Sequence, residues 1–283
     1  MRRITVEKRK VTIPQLREMK QQGKRFKMVT AYDYPLASVI DKSSIEVILV
    51  GDSLGMVVLG YDSTVSVTME DMLHHIKPVV RGAPNTLVVA DMPFGSYNVS
   101  ISEAISNANR MMKEGRADCV KLEGGSTVID TVRGIVNAGI PVMGHIGLTP
   151  QTVSQLGGFK VQGKDAEAAL KLLEDAQKLE EAGAFAIVVE CVPAPVAKLI
   201  TEKLSIPVVG IGAGPDCDGQ VLVAQDMLGM FDRFVPKFVK QYANLNGLIM
   251  EALEQYAAEV DNGEFPGPEH SFGMKEEVLK KLY

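Results

Sequence analysis

Short apolar runs alternate along the chain with longer segments in which apolar residues recur at helical spacing. Eight such runs lie between residues 27 and 224. They are nearly continuous instead of alternating with polar residues, so they predict strands that are covered on both faces. A strand followed by a helix, repeated in this way, indicates a parallel sheet. The predicted strands are Lys27–Thr30, Val47–Val50, Leu87–Ala90, Cys119–Glu123, Pro141–Gly144, Ala186–Val189, Pro207–Ile211 and Val221–Ala224.

Helices are predicted between the strands and towards both ends of the chain. Those between the strands are Pro35–Lys42, Met69–Arg81, Ile101–Glu114, Thr127–Ala138, Asp165–Ala182 and Ala194–Lys203. The outer elements are a helix at Pro14–Gln22, a long helix at Pro236–Val260, an extended arm at Asn262–Phe272 and a short helix at Lys275–Leu282. Eight strands are the number that closes a (βα)8 TIM barrel. We therefore expect one α/β barrel domain over residues 1–283, with an N-terminal capping helix and a C-terminal helical extension and arm.

Residues with capping preferences support several of these helix ends. Thr68, with Asp71 three residues further on, is expected to cap the helix Met69–Arg81. Gly115, Gly139 and Gly183 each follow a predicted helix. We expect these glycines to adopt the left-handed backbone conformation that commonly ends a helix.

Composition and charge narrow the class of protein. The 30 Lys and Arg residues are outnumbered by 35 Asp and Glu residues, so the net charge of −5 argues against a nucleic-acid or membrane-surface partner. No apolar run approaches the ~20 residues of a membrane helix, and charged residues soon follow Arg2 and Arg3, which argues against a secretory signal. Cys119, Cys191 and Cys217 lie far apart and favour neither disulfides nor a thiolate zinc site. We expect a cytoplasmic protein.

Ionisable side chains gather at the carboxyl ends of the predicted strands. Asp52 follows the second strand, Asp91 the third and Glu190 the sixth, and Glu123 ends the fourth. This end of a barrel carries the active site in characterised enzymes. Lys121 cannot neutralise four buried carboxylates, so a divalent cation is the simplest source of balancing charge. A donor set made only of oxygens favours Mg²⁺ over zinc.

Each of these residues also has a structural explanation. An acid after a strand commonly caps the following helix, although the sequences after Asp52 and Asp91 do not predict a helix that begins at once. Lys121 and Glu123 lie two apart on one strand and share a face, which fits either an ion pair inside the barrel or a catalytic layer. His145, after the fifth strand, fits a structural role and a ligand-binding role equally well.

Eight ordered segments carry a resemblance to a known family. They are TAYDYPLA (30–37), VGDSLGMVVLGYDSTVSVTMEDM (50–72), ADMPFGSY (90–97), VKLEGG (120–125), MGHIGLTPQ (143–151), GGFKVQGK (157–164), ECVP (190–193) and GIGAGPDCDGQVLVAQDMLG (210–229). In this order and spacing the chain resembles the ketopantoate hydroxymethyltransferase family, of the phosphoenolpyruvate/pyruvate barrel superfamily, over nearly its full length.

The resemblance implies a reaction and a set of site residues. The reaction is hydroxymethyl transfer from 5,10-methylenetetrahydrofolate to 3-methyl-2-oxobutanoate, giving 2-dehydropantoate for pantothenate and coenzyme A synthesis through a Mg²⁺-stabilised enolate. By motif position the implied Mg²⁺ ligands are Asp52, Asp91 and Glu123. The implied contacts to the oxo acid are Asp52, Ser53, Asp91 and Lys121, to which we add His145, and the implied proton acceptor is Glu190. The resemblance also implies a homo-oligomer, often a homodecamer.

Two other functions stay open at this point. Another Mg²⁺-dependent 2-oxo-acid lyase or mutase of the same superfamily would carry the same acids, although the chain lacks the KKCGH motif of isocitrate lyase-like members. A non-catalytic barrel stabilised by a metal would bind Mg²⁺ without turnover. The long connections at 53–67 and 146–164 are candidate lids or binding loops, and the segment 157–164 is a candidate folate contact.

Overall fold

Eight parallel strands close into a barrel in their order along the chain, and the last strand pairs with the first. The computed structural model describes residues 8–231 and 233–283. The strands are β1 Phe26–Thr30, β2 Val47–Val50, β3 Leu87–Asp91, β4 Cys119–Glu123, β5 Val142–Gly147, β6 Ala186–Glu190, β7 Val208–Ile211 and β8 Gly219–Leu222. The predicted (βα)8 TIM barrel is confirmed.

Helices alternate with the strands along the chain, and further helices follow the last strand. They are α1 Ile13–Gln21, α2 Tyr34–Asp41, α3 Leu54–Val57, α4 Met69–Gly82, α5 Ile101–Lys113, α6 Ile129–Asn137, α7 Val153–Leu156, α8 Ala166–Glu181, α9 Ala194–Lys203, α10 Ala224–Met227, α11 Leu245–Asp261 and α12 Glu276–Leu279. Thr68 and Asp71 form the predicted capping box at the start of α4. Among the described residues, none of these helices is long and apolar enough to cross a lipid bilayer.

The barrel interior is filled by alternate residues of its strands. Phe26 and Met28 of β1, and Leu87 and Val89 of β3, belong to one buried cluster with the corresponding side chains of the other strands. Leu16 of α1 is fully buried in the same cluster, so the predicted N-terminal helix does close this end of the barrel. Because side chains on a strand point inward at every second position, the inward face of each strand is apolar where it begins.

The same alternation places polar residues inside the opposite end of the barrel. Asp91 is the next inward position after Val89 on β3, and Lys121 and Glu123 continue the face of Cys119 on β4. His145 follows Met143 on β5, and Glu190 follows Val188 on β6. Strand register thus brings the ionisable residues of four neighbouring strands to one layer.

Some local predictions were wrong. The long C-terminal helix begins at Leu245, with Asn244 as its N-cap, and not at Pro236. Gly139 and Gly183 have the predicted positive φ values of 86° and 98°, but the left-handed residue after α5 is Arg116 and not Gly115. A Cβ at Gly115 would lie 2.5 Å from the carbonyl oxygen of Met111, so this glycine is needed for close packing.

The chain divides into two compact units. The first contains the barrel, with the described residues up to Ala224 and the segment Pro236–Val239. The second contains α11 and α12, with the described residues of Gln225–Val235 and Lys240–Tyr283. The single domain predicted over residues 1–283 stays a prediction.

Candidate active site

A layer of buried ionisable side chains occupies the carboxyl ends of the strands. Asp52, Asp91, Lys121, Glu123 and His145 are each at most 4% exposed. Residues on neighbouring strands are paired in register, with Asp91 beside Lys121 and Glu123 beside His145. The predicted site residues of β2 to β5 therefore meet within one buried layer.

Asp52, Asp91 and Lys121 form the first part of this layer. The backbone N–H of Asp52 donates to Asp91 Oδ2 over 3.2 Å, and Lys121 Nζ lies 2.8 Å from Asp91 Oδ1. Burial, together with the charges of Asp91 and Glu123, raises the pKa of Asp52 well above its usual value. Burial opposes the charge of Lys121, but the surrounding carboxylates outweigh burial and raise the pKa of its ammonium group.

His145 connects Glu123 to Glu190. Its Nδ1 lies 3.3 Å from Glu123 Oε1 and 3.3 Å from Lys121 Nζ, and its Nε2 lies 3.2 Å from Glu190 Oε2. Burial and Lys121 lower the pKa of His145, but the two glutamates outweigh them and raise it to about 9. The ring thus lies between the two glutamates, whose carboxylates favour a positive charge on it. His145 therefore places the predicted base, whose side chain is 16% exposed, next to the buried layer.

Ser53 lies beside this layer but outside its network of charges. Its hydroxyl is 2.8 Å from the hydroxyl of the buried Tyr32. Ser53 is also the N-cap residue of α3, so the prediction that no helix begins directly after Asp52 was wrong. The start of α3 has no side-chain cap hydrogen bond, so capping does not explain the Asp52 carboxylate.

Sequence analysis missed two residues of the site, Gln151 and Tyr97. The backbone N–H of Gln151 donates to Glu123 Oε2 over 3.0 Å, and its side-chain Nε2 donates to Asp52 Oδ2 over 2.9 Å. The hydroxyl of Tyr97 donates to Gln151 Oε1 over 2.6 Å. Both lie in segments that the family resemblance includes, but neither is charged at neutral pH, so a search for ionisable groups at strand ends passes over them.

The carboxylates of the layer fit a hard divalent cation. The layer contains the carboxyl groups of Asp52, Asp91, Glu123 and Glu190, and these outnumber its two basic side chains, Lys121 and His145. Oxygen donors of this kind are the ligands that Mg²⁺ prefers.

The three predicted Mg²⁺ ligands do not fit the ion equally well. Among the described residues, no three His, Cys, Asp or Glu side chains are arranged so that they could hold a metal ion. Glu123 directs one oxygen to His145 and accepts the Gln151 N–H with the other. Asp91 also has a partner at each oxygen, Lys121 and the Asp52 N–H, but no described residue donates to Asp52 Oδ1. The surroundings raise the pKa values of Asp52 and Asp91 and lower that of Glu123, so the first two carboxylates gain most from a bound cation. Since Mg²⁺ is commonly held by one or two carboxylates with water or substrate oxygens, this pair fits it best.

The two long connections meet beside the site. A short 3₁₀ turn at Thr64–Ser66, in the connection 53–67, packs against a second turn at Pro150–Thr152, in the connection 146–164. The second turn includes Gln151, so packing between the loops is linked directly to the carboxylates.

Relatives of known name match the chain over nearly its whole length. The family model described as ketopantoate hydroxymethyltransferase matches residues 10–268. A protein of Heliobacterium modesticaldum named 3-methyl-2-oxobutanoate hydroxymethyltransferase is 69% identical, over 97% of this chain and 99% of that protein. Proteins of the same name from Syntrophomonas wolfei and Carboxydothermus hydrogenoformans are 59% and 60% identical, over 97% of this chain and 99% of their own length.

Solved structures share the fold at low sequence identity. Phosphonopyruvate hydrolase in complex with oxalate and Mg²⁺ superposes with a TM-score of 0.59 at 13% identity, over 95% of this chain and 94% of that one. A 2,3-dimethylmalate lyase of the PEP mutase/isocitrate lyase superfamily gives 0.57 at 15% identity, over 95% and 93%. At such low identity, these structures show only that the fold is shared. The family model matches residues 10–268, and the chain therefore belongs to the ketopantoate hydroxymethyltransferase family.

Proposed function

We propose that this enzyme transfers a hydroxymethyl group from 5,10-methylenetetrahydrofolate to 3-methyl-2-oxobutanoate, giving 2-dehydropantoate for pantothenate synthesis. Family membership and identity of up to 69% to relatives named for this reaction support the assignment. The observation that carries it in the structure is the buried layer at the strand ends, which joins Asp52, Asp91, Lys121, Glu123 and His145 to Glu190.

Lys121 and Ser53 are suited to bind the oxo acid. A 2-oxo acid carries a carboxylate beside a carbonyl oxygen, and both groups accept hydrogen bonds. Lys121 offers a buried ammonium group held by Asp91, and Ser53 offers a hydroxyl oriented by Tyr32. Hydrogen bonds from a charged donor are stronger than neutral ones, so Lys121 is expected to supply most of the attraction for the substrate.

Asp52 and Asp91 would hold Mg²⁺, with Glu123 close by. When bound there, the ion would act as a Lewis acid that stabilises negative charge developing on the 2-oxo oxygen. Glu123 holds His145 and the Gln151 backbone in place. This division between two ligands and one supporting acid differs from the three ligands that the family resemblance implies.

Glu190 would act as the base. It ends β6, is less buried than the other acids, and its Oε2 faces His145 Nε2. Taking the C3 proton of the oxo acid would leave that carbon able to attack the methylene carbon of the folate. Both bonds from this methylene carbon to the folate nitrogens would break, one water molecule would supply the hydroxyl group of the product, and tetrahydrofolate would leave. Positioned general bases typically accelerate such steps by about 10² to 10⁴-fold.

Proton exchange without folate tests the assignment. We would incubate the protein with Mg²⁺ and 3-methyl-2-oxobutanoate in D₂O and follow the C3 proton by NMR. Wild type is expected to exchange this proton. Glu190→Gln is expected to exchange at least about 100-fold more slowly while binding the oxo acid normally by calorimetry, because only the base is lost. Glu114→Gln, which changes a surface ion pair with Arg110, is the matched control.

The outcomes separate the competing functions. Normal exchange in Glu190→Gln would mean that another group is the base. Exchange in wild type without 2-dehydropantoate when 5,10-methylenetetrahydrofolate is added would favour a lyase or mutase. Mg²⁺ binding with neither exchange nor product would favour the non-catalytic barrel.

A further inference from the structure

The side-chain amide of Gln151 is fully engaged inside the carboxylate layer. Gln151 is 3% exposed. Its Nε2 donates to Asp52 Oδ2 over 2.9 Å and to the carbonyl oxygen of Met92 over 3.0 Å, and its Oε1 accepts from the Tyr97 hydroxyl over 2.6 Å. An amide nitrogen has two hydrogens, so both donors are used.

Its partners define the orientation of this amide. The Met92 carbonyl can only accept a hydrogen bond, so the NH₂ group must face it and, with it, Asp52 Oδ2. The Tyr97 hydroxyl meets the opposite side of the amide as a donor. Tyr97 is 3% exposed, and burial together with the nearby carboxylates raises the pKa of its hydroxyl, so it keeps its proton. Turning the amide over would set its oxygen against the Met92 carbonyl oxygen.

We propose that Gln151, oriented by Tyr97, is a positioning residue for Asp52. By holding Oδ2, the amide fixes the rotation of the carboxylate and presents Oδ1, to which no described residue donates, to an ion or substrate. Groups that hold a metal-binding carboxylate by hydrogen bonds tune both its orientation and its affinity. The inference rests on the proposed function, since it assumes that Asp52 binds Mg²⁺.

The backbone of Gln151 adds to this role. Its N–H holds Glu123 Oε2, so one residue at the start of a long loop contacts two acids that come from different strand ends. Tyr97 reaches it from the connection after β3, 54 positions earlier in the chain. Tyr97 and Gln151 therefore link the connections after β3 and after β5 to the carboxylates.

The test is a double-mutant cycle read out by Mg²⁺ binding. Wild type, Tyr97→Phe, Gln151→Ala and the double variant would each be titrated with Mg²⁺ alone by calorimetry. Gln151→Ala is expected to weaken binding about tenfold, as is typical when a residue supporting a metal ligand is lost. Tyr97→Phe is expected to weaken it about fivefold, the effect of one hydrogen bond. The double variant should bind like Gln151→Ala, because Tyr97 acts only through the amide.

Ser96→Ala is the matched control. Its hydroxyl donates to the Pro93 carbonyl over 2.7 Å, is buried like that of Tyr97, and has no hydrogen bond to the carboxylates or to Gln151. We expect it to lower the melting temperature about as much as Tyr97→Phe and to leave Mg²⁺ affinity unchanged. C3 proton exchange in Tyr97→Phe should recover at high Mg²⁺ concentration. A loss of stability alone does not predict this recovery.

Each outcome bears on one of the two proposals. If wild type binds no Mg²⁺, the proposed function fails and the inference falls with it. If wild type binds but Tyr97→Phe and Gln151→Ala bind equally well, or Ser96→Ala loses as much affinity, only the positioning role is wrong. The positioning role would also be wrong if the loss of Mg²⁺ affinity in the double variant equalled the product of the two single losses. That result would show that Tyr97 and Gln151 act independently.

Discussion

At the scale of single residues, the acids of the buried layer differ in what compensates their charge. Asp91 faces an ammonium group, Asp52 faces an amide, and Glu123 faces an imidazole ring and a backbone N–H. Only Glu123 has its pKa lowered by its surroundings, because His145 and Lys121 outweigh the effect of burial. Asp52 and Asp91 both have raised pKa values, chiefly through burial, so they are the acids that a bound dication would stabilise most.

The three acids should therefore respond differently to loss of charge. We predict that Asp91→Asn weakens Mg²⁺ binding at least about tenfold, because it removes the charge of one of the two proposed carboxylate ligands, whose pKa burial raises. Glu123→Gln should weaken it less, since His145 and Lys121 already stabilise the charge of Glu123 and lower its pKa, whereas the pKa of Asp91 is raised. Calorimetric titration with Mg²⁺ checks both. Unchanged affinity in Asp91→Asn would remove it from the site, and equal losses would restore the three-ligand prediction.

Gly147 lies directly beside the backbone of the proposed base, Glu190, its partner on the neighbouring strand. It has φ of 92°, and a Cβ at this position would collide with the carbonyl oxygen of Glu190. We predict that Gly147→Ala lowers the free energy of unfolding by about 2 to 4 kcal/mol and slows C3 proton exchange, because strain and a backbone clash combine. Urea unfolding and NMR exchange measure the two effects.

Gly139 provides the control for that substitution. Its φ is 86°, but no atom lies within 4 Å of a Cβ built there. Gly139→Ala should cost only about 1 to 2 kcal/mol for the left-handed conformation and leave exchange unchanged. Equal effects of the two substitutions would show that the contact with Glu190 has no consequence.

The sequence could reveal the site residues that lie at strand ends, but not those that lie on loops. Asp91, Lys121 and Glu190 lie at the ends of solid apolar strands, so period-two alternation and parallel register bring them together in any barrel. Gln151 and Tyr97 come from loops, and only the folded chain shows that they meet. The side of the barrel on which a loop residue lies is not encoded by local periodicity.

At the scale of elements, helix α8 supports the connection that follows β4. Asp175 of α8 accepts hydrogen bonds from both the backbone N–H and the hydroxyl of Ser126. A Cβ at Gly125 would collide with the Asp175 carboxylate, so the two segments are in close contact. This contact lies three residues from Glu123, the last residue of the strand.

Loss of this contact should destabilise the barrel. We predict that Asp175→Ala lowers the free energy of unfolding by about 2 kcal/mol, the usual value of hydrogen bonds to a charged and largely buried group. Asp130→Ala is the control, because that side chain is 80% exposed in its ion pair with Arg133 and should change stability by less than about 1 kcal/mol. Urea unfolding compares them, and equal losses would mean that α8 does not support this connection.

Strand positions were predictable and some boundaries were not, for physical reasons. The solid apolar run at Val47–Val50 has the same bounds in the structure because both faces of that strand are buried. β8 begins at Gly219, two residues before its predicted start, where the ring of Phe26 occupies the space of a side chain. Apolar spacing also predicted helix from Pro236, but Phe238 packs against Gly212 and the barrel core, so α11 starts only after Asn244.

At the scale of the whole molecule, α11 carries an apolar stripe that the single chain leaves uncovered. Ile249, Leu253, Tyr256 and Val260 recur at helical spacing and are 46%, 56%, 56% and 45% exposed. Apolar stripes of this size usually mark contact with another chain. The homodecamer and the cytoplasmic location expected from the sequence stay predictions, and this stripe is where we expect copies of the chain to meet.

A charge placed in the stripe should therefore break the assembly. Leu253→Glu would bury an unpaired carboxylate between copies, at a cost of several kcal/mol, so the mass measured by sedimentation velocity should fall. Leu170→Glu is the matched control, because Leu170 of α8 is 59% exposed but lies outside the stripe, and its mass should equal that of wild type. A monomeric wild type would contradict the predicted oligomer. If Leu253→Glu kept the wild-type mass, the copies would have to meet elsewhere, since an interface centred on this residue could not accommodate the charge.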